Sequence, residues 1–366
     1  MLLDKRDVDF LRLLCWCQFL RPFDTRKIIP KEELQYLCER GLTTFHEKSG
    51  AYDPTRGCRN LVAGLTAPPT PIQTRNYHEE AIMRRLRTSS IFMTAYRAGI
   101  NVFTTAAEEL AESPALFLTA FARNHKSNPW GSSRVTAMAH LGDLLCATFY
   151  VCSGIGKITL TDELTAISNQ ASHFKGVRQA MIFAGESYSD ILTELEAPRT
   201  EKDSKLVFFG QAYRQVQQPI HLLTCDDAGA MQLKIMATPD YRAKLTMAIL
   251  GAAFSEPPEG IAQWDGFYRG SPFIVAADMD LRRIDSALEA AHERGYEKIA
   301  MACLKGQQKR LLSARYDKTG KADVYQITPE ALSAVLGAEV ELYAPTPTQF
   351  LTEKGDVVHA PLIKTH

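Results

Sequence analysis

No two of the eight cysteines form a Cys-x-x-Cys pair, so the chain carries no zinc ribbon and no thioredoxin-type redox motif. Cys15 and Cys17 are two apart in an apolar helical stretch, where they cannot face one ion. Buried, reduced structural thiols are the expectation, and with them a cytoplasmic location. Charge interrupts every apolar run before the ~18 residues that a membrane span needs, so no membrane partner is expected. Met1-Leu2-Leu3-Asp4-Lys5-Arg6 has neither the basic start nor the apolar core of a secretory signal. Also absent are a Gly-x-x-x-x-Gly-Lys-Ser/Thr phosphate loop, a Gly-x-Gly-x-x-Gly fingerprint, a Gly-x-Ser-x-Gly elbow and a His-Glu-x-x-His helix. Ser153-Gly154-Ile155-Gly156-Lys157 is glycine-rich but has neither the phosphate-loop spacing nor its Ser/Thr. His140, His173, His221 and His292 follow no ligand spacing, so each reads as a local hydrogen-bonding group, and Trp16, Trp130 and Trp264 read as packing residues. The chain also has no net charge, with 42 basic and 42 acidic residues, which excludes a strongly basic nucleic-acid coat.

What is present begins with uneven charge. Met1 to Thr105 holds 16 Lys and Arg against 11 Asp and Glu, a modest surplus that permits phosphate contacts. With 366 residues, 45% of them hydrophobic, the chain can fill the cores of two or three domains. Phe10, Leu13, Leu14, Cys17 and Leu20 recur at three- and four-residue spacing, which predicts one buried helical face. Arg21-Pro22-Phe23-Asp24 breaks that helix. Lys31 to Arg40 predicts a second, with Pro30 at its first turn and Gly41 as its stop. Thr43 to His46 reads as a strand, and Glu47-Lys48-Ser49-Gly50 as a turn into a return strand. Helices followed by a hairpin make a winged helix, a fold used mainly to hold DNA. The surface that would meet duplex DNA is the Lys31–Arg40 helix, with Arg26 and Lys27 ahead of it and Lys48, Arg56 and Arg59 around the wing.

The segment Ala67-Pro68-Pro69-Thr70-Pro71 is too proline-dense for helix or central strand. It opens a helical linker in which a run from Tyr77 to about Gly99 carries Ile82, Leu86 and Tyr96 on one side and Arg84, Arg85, Arg87 and Arg97 as charge. That apolar side is a candidate homodimer seam, or else a face that packs on the N-terminal domain. Leu141-Gly142-Asp143 predicts a β-hairpin between flanking apolar strands, forming an antiparallel sheet edge, and Thr161 reads as the cap of a helix. Thereafter short apolar strands near 179–184, 220–225, 273–278, 298–304 and 323–327 alternate with helices near 188–196, 228–237, 241–250, 281–294 and 307–315. This rhythm predicts an α/β domain with a mostly parallel, buried sheet. The expected divisions are 1–66 winged helix, 67–116 proline break and helical linker, 117–343 α/β domain and 344–366 an extended, loose tail.

The strongest candidate for chemistry is Pro272 to Arg283. Asp278 and Asp280 stand at the end of a predicted strand, two apart and so on one face, where both carboxylates could reach one hard divalent cation such as magnesium. Lys305, just past the next strand, could orient a phosphate or a water, and Asp226-Asp227 ends another strand in the same way. The same acids are also explained without a metal: Asp280 caps the following helix, Asp278 ends the strand, and Arg282 or Arg283 pairs with them.

The order of these parts resembles the replication-relaxation proteins of plasmids and integrative elements in Gram-positive bacteria. The likeness is carried by Asp7 to Gly57, Arg84-Arg85-Leu86-Arg87 with Ala95-Tyr96-Arg97-Ala98-Gly99, and Phe273 through Arg283. It implies a second domain similar to a degenerate restriction-endonuclease-like fold, and a DNA-binding accessory or regulatory role beside replication or mobilisation proteins. Asp278-Met279-Asp280 has no Lys two residues beyond the second acid, a departure from the usual nuclease pattern. Three readings stand: a DNA-binding accessory protein with no cofactor, a magnesium-dependent nuclease or nickase using Asp278 and Asp280, and a regulator whose α/β domain senses a ligand or a protein.

Overall fold

The computed structural model describes residues 3–66, 78–122, 133–152, 176–196, 218–258, 263–337, 340–345, 350–352 and 354–358. The predicted helix at Thr161, the glycine-rich 153–157 segment, the proline break, His173 and Trp130 lie outside the described residues. The chain divides into two units, Met1–Met93 with Tyr343–His366, and Thr94–Leu342.

The first unit runs β1 (Leu3–Asp4), α1 (Lys5–Cys17), α2 (Pro22–Thr25), α3 (Lys31–Glu39), β2 (Thr43–His46), β3 (Ala51–Pro54), α4 (Arg56–Leu65) and most of α5 (Glu79–Arg97). Pro30 precedes α3 and Gly41, at φ +68°, ends it, with Leu42 N–H returning to Leu37 carbonyl. β2 and β3 form the expected antiparallel hairpin, Thr43 opposite Pro54 and His46 opposite Ala51. Helix α1 is buried on more than the one predicted face, because Leu11, Cys15 and Trp16 are covered along with Phe10, Leu13 and Leu14. Trp16 stacks on Phe92 at 6.2 Å, and Ser89 Oγ donates to Cys17 carbonyl at 3.3 Å, so α5 lies along α1.

Two expectations are corrected here. Ile82 and Leu86, the proposed dimer seam, cluster with Phe19 and Ala51 of their own unit, and Tyr96 is 6% exposed with its ring edge-on to Phe103. Intrachain burial already satisfies those apolar groups, so they offer no seam. The tail is not wholly loose: β13 (Phe350–Leu351) pairs antiparallel with β1 and with β14 (Val357–Val358). Two-residue strands are too short to leave a period in sequence, and only a distant partner makes them strands.

Asp4 caps α1 in a reciprocal box: Asp7 N–H donates to Asp4 Oδ1 at 2.8 Å, and Asp4 N–H donates to Asp7 Oδ2 at 3.0 Å. Burial pushes the Asp7 carboxyl up to about 6, aided by the charges of Asp4 and Glu33 and opposed by the Asp4 N–H and Arg6. A carboxyl raised on folding binds its proton more tightly in the folded state. Its ionised form therefore weighs on the fold above pH 6, and the burden lifts as pH falls from about 6 toward 4. In chelator-treated buffer, Asp7→Asn should melt roughly 2–4 °C above the parent at pH 8, about 1 kcal/mol once solvent screening is allowed for. Thermal melts should show that gap narrowing below pH 6 and closing toward pH 4; a gap independent of pH would reject the assignment.

The second unit holds two sheets where the sequence predicts one. The first has the order β4 (Ala115–Leu118), β5 (Ala137–Leu141), β6 (Leu144–Tyr150), β7 (Arg178–Gly185), β8 (Ile220–Thr224), with a short α6 (Thr119–Ala122) after β4. β4, β5 and β6 are antiparallel, while β6, β7 and β8 are parallel. The β5–β6 hairpin turns at Gly142 as predicted, but it is not the edge, because β4 pairs outside it. Helices α7 (Tyr188–Leu195), α8 (Asp227–Met236) and α9 (Tyr241–Leu250) follow the predicted rhythm. The second sheet is β9 (Gly266–Tyr268), β10 (Ser271–Val275), β11 (Ile299–Cys303) and β12 (Ala322–Gln326), with β10, β11 and β12 parallel and β9 antiparallel at the edge. Helix α10 (Leu281–Glu293) crosses from β10 to β11, a π-helical segment (Gln308–Asp317) from β11 to β12, and α11 (Pro329–Leu336) follows. One apolar core with Phe117, Phe149, Phe183, Ile274, Met279 and Met301 serves both sheets. Among the described residues no helix is long and apolar enough to cross a membrane.

Candidate functional site

Asp278 and Asp280 do not lie on a strand. β10 ends at Val275, and the chain turns through Ala276 to Met279, whose N–H donates to Ala276 carbonyl at 3.0 Å. Met279 is fully buried at φ +52°, a left-handed conformation that a side-chain-bearing residue holds only when its surroundings fix it. Asp280 then caps α10, accepting Arg283 N–H at 3.2 Å. The alternation argument for a shared face therefore fails, yet the two carboxylates still converge because the turn brings them together.

They converge on an arginine. Arg242, the second residue of α9, donates from Nε to Asp278 Oδ2 at 3.0 Å, pairs again through Nη2, and reaches Asp280 Oδ2 at 3.4 Å. Its neighbour Tyr241 donates its hydroxyl to the same Asp278 oxygen. Asp278 is 0% exposed. Burial alone would raise its carboxyl, but the charges of Arg242, His221 and Arg283 and the Tyr241 hydroxyl outweigh burial and hold it below the ordinary range. The Arg282 or Arg283 pairing expected from sequence is corrected: Arg283 pairs with Asp265 and donates to Val275 carbonyl at 3.0 Å.

The backbone of this turn is held as closely as its side chains. His221, 0% exposed on β8, donates from Nδ1 to Asp278 carbonyl at 3.0 Å, and Leu222 N–H donates to Met279 carbonyl at 3.1 Å. Gln232 of α8 bridges Leu222 and Asp278 carbonyls at 2.8 and 2.9 Å. Gln307, just past β11, donates to Ala277 carbonyl at 2.9 Å and accepts Leu304 N–H at 2.8 Å. These bonds fasten the end of β10 to the edge of β8, so the turn is the joint between the two sheets.

His221, Asp278 and Asp280 offer ligand atoms within 4.8 Å of one another, the spacing of a metal site. The Arg242 guanidinium already supplies the positive charge that a cation would bring, and it holds the Asp278 oxygen a cation would use. The arrangement suits a buried ion pair better than a metal. Lys305 is exposed beyond β11 and, among the described residues, makes no ion pair with either acid. Asp226 caps α8, accepting Gly229 N–H at 3.1 Å, and Asp227 pairs with Arg97. Strands β4 to β8 carry no Asp, Glu or Lys at all.

The seven expected DNA-contacting residues all belong to the first unit. Arg26 is exposed after α2, and Lys27 sits over the Phe23 ring at 4.0 Å. Lys31 is exposed at the start of α3 and Arg40 at its end, over the Tyr36 ring at 5.2 Å. Lys48 is exposed at the β2–β3 turn, Arg56 is exposed at the start of α4, and Arg59 is half-buried one turn on. Between those cations, the middle of the expected Lys31–Arg40 surface exposes Glu32, Gln35 and Glu39 at helical spacing, and Gln35 donates to Glu39 at 3.0 Å. Sequence reasoning gave His221 a hydrogen-bonding role but only a local one, and it missed Gln232, Tyr241, Arg242 and Gln307; their separation from Asp278 along the chain leaves no local signal.

No protein-family model, curated protein or solved structure matches the chain.

Proposed function

We propose that the chain is a DNA-binding protein of accessory or regulatory type, holding duplex DNA on its first unit and leaving it uncut. The observation that carries this reading is the helix–helix–hairpin order of α2, α3, β2 and β3 with exposed cations at both ends of α3 and at the hairpin turn. That is the element order of a winged helix. In this reading Arg26, Lys27, Lys31 and Arg40 flank the helix and meet phosphates, while Glu32, Gln35 and Glu39 between them face base edges. Acids repel phosphate, but Gln pairs with adenine and Glu accepts from the cytosine amino group. The absence of cleavage is supported by Arg242, which occupies the pair of carboxylates a metal-dependent nuclease would need.

The test is a gel shift with duplex DNA at low salt, beside incubation of supercoiled plasmid in magnesium or manganese. The expected result is retarded duplex and intact plasmid. No retardation at 50 mM salt would reject the binding role. Nicking that disappears in an Asp278→Ala, Asp280→Ala double variant would replace this reading with the nuclease one.

A further inference from the structure

We propose that Asp4, Asp7 and Glu33 form a site for a hard divalent cation that ties the start of α1 to the start of α3. Each residue offers a ligand oxygen, and these atoms lie within 4.8 Å of one another. Ligands on opposite sides of an ion bound at about 2.4 Å stand about 4.8 Å apart, so all three fit around one calcium or, with slight contraction, one magnesium. Among the described residues the group carries three carboxylates paired with one cation, Arg6, which approaches Asp4 Oδ2 at 3.5 Å and pairs with Glu33 Oε1. Two negative charges are left over, the complement of a divalent ion.

The oxygens themselves point the same way. Asp4 Oδ1 takes the Asp7 N–H and Asp7 Oδ2 takes the Asp4 N–H. Asp7 Oδ1 and Glu33 Oε2 are buried and receive no hydrogen bond from the described residues, and Asp7 as a whole is 8% exposed. A buried carboxylate oxygen with no donor bears the full cost of its lost hydration unless positive charge sits on it. An all-oxygen set with neither sulfur nor imidazole selects magnesium or calcium over zinc or copper, and water would complete the shell. The contrast with Asp278 and Asp280 is the guanidinium: there it answers the carboxylate, here it leaves two oxygens over.

Manganese, which accepts the same ligands and is visible by electron paramagnetic resonance, serves as the probe. The full chain is stripped with chelator and titrated without DNA, so the outcome is independent of the DNA reading. One manganese ion per chain should bind, magnesium or calcium should displace it, and the same ions should raise the melting temperature of the parent. Asp7→Asn and Glu33→Gln should each weaken manganese binding at least roughly tenfold. The Asp7→Asn chain is expected to fold at least as well as the parent in chelator, so its loss of binding is not unfolding. No bound manganese in the parent at about 1 mM free ion, or equal binding by the parent and both variants, overturns the site.

Discussion

Arg242→Ala should destabilise the second unit by about 3–5 kcal/mol, a large share of what holds a domain folded. The Asp278 side chain is 1% exposed, and Arg242 supplies two of the donors on its Oδ2. Arg242 itself is 25% exposed in its side chain, so the loss comes chiefly from the carboxylate left behind. Tyr241 and His221 remain beside that carboxylate, but neither replaces a guanidinium. The pH dependence separates this mechanism from simple loss of packing. In the parent, a carboxyl held low contributes stability fully above its unfolded value near 3.8, and that contribution is lost only as pH falls further, through the folded value. In Arg242→Ala the same carboxyl is buried without its main partner, so protonation relieves it and the variant should gain on the parent as pH drops from 8 toward 5. Adding Asp278→Asn to Arg242→Ala should recover part of the loss, a coupling expected of neighbours in one network. Urea unfolding at pH 8 and pH 5.5 measures both effects. A loss under about 1 kcal/mol, or the same loss at both pH values, would show that the pair does not hold the joint.

The second large effect concerns DNA. Phosphate contacts by Arg26, Lys27, Lys31, Arg40 and the hairpin-turn Lys48 would give a slope of about −4.5 in log affinity against log salt, so raising salt from about 50 to 200 mM should cost roughly 10²–10³ in affinity. Replacing Lys27 and Lys31 together by Ala should flatten that slope by about 2 and weaken binding to every sequence alike. Gln35→Ala should behave differently: the slope stays, and discrimination between sites falls by about 1–3 kcal/mol at one base pair. Fluorescence anisotropy with two unrelated duplexes over a salt series reads all three. Unchanged slope in the Lys27, Lys31 double variant would remove the N-terminal unit as the DNA surface.

Much of the secondary structure was legible in the residues. Pro30 and Gly41 bracket α3, Gly142 turns β5 into β6, and the apolar strands beginning near 220, 271 and 299 stand within one or two residues of their predicted starts. These signals are local, arising from backbone preference and from a periodicity that a short window contains. The chemistry of the Asp278 turn was legible only in half. The Asp280 cap is a local event and was foreseen, whereas strand alternation failed because β10 stops three residues before Asp278.

By itself, then, the sequence determined most element types, the alternating texture of the second unit, the burial of five of the eight thiols and the basic bias of the first third. The tertiary structure decided the rest: that the strands form two sheets, that the face of Ile82 and Leu86 packs at home, that β13 joins β1, and that Arg242 answers Asp278 from 36 residues away. The reason is physical. Local rules see a residue's neighbours along the chain, while the partner of a buried charge or of a sheet edge is set by which surfaces collapse together. That choice depends on the whole core, and no stretch of ten residues contains it.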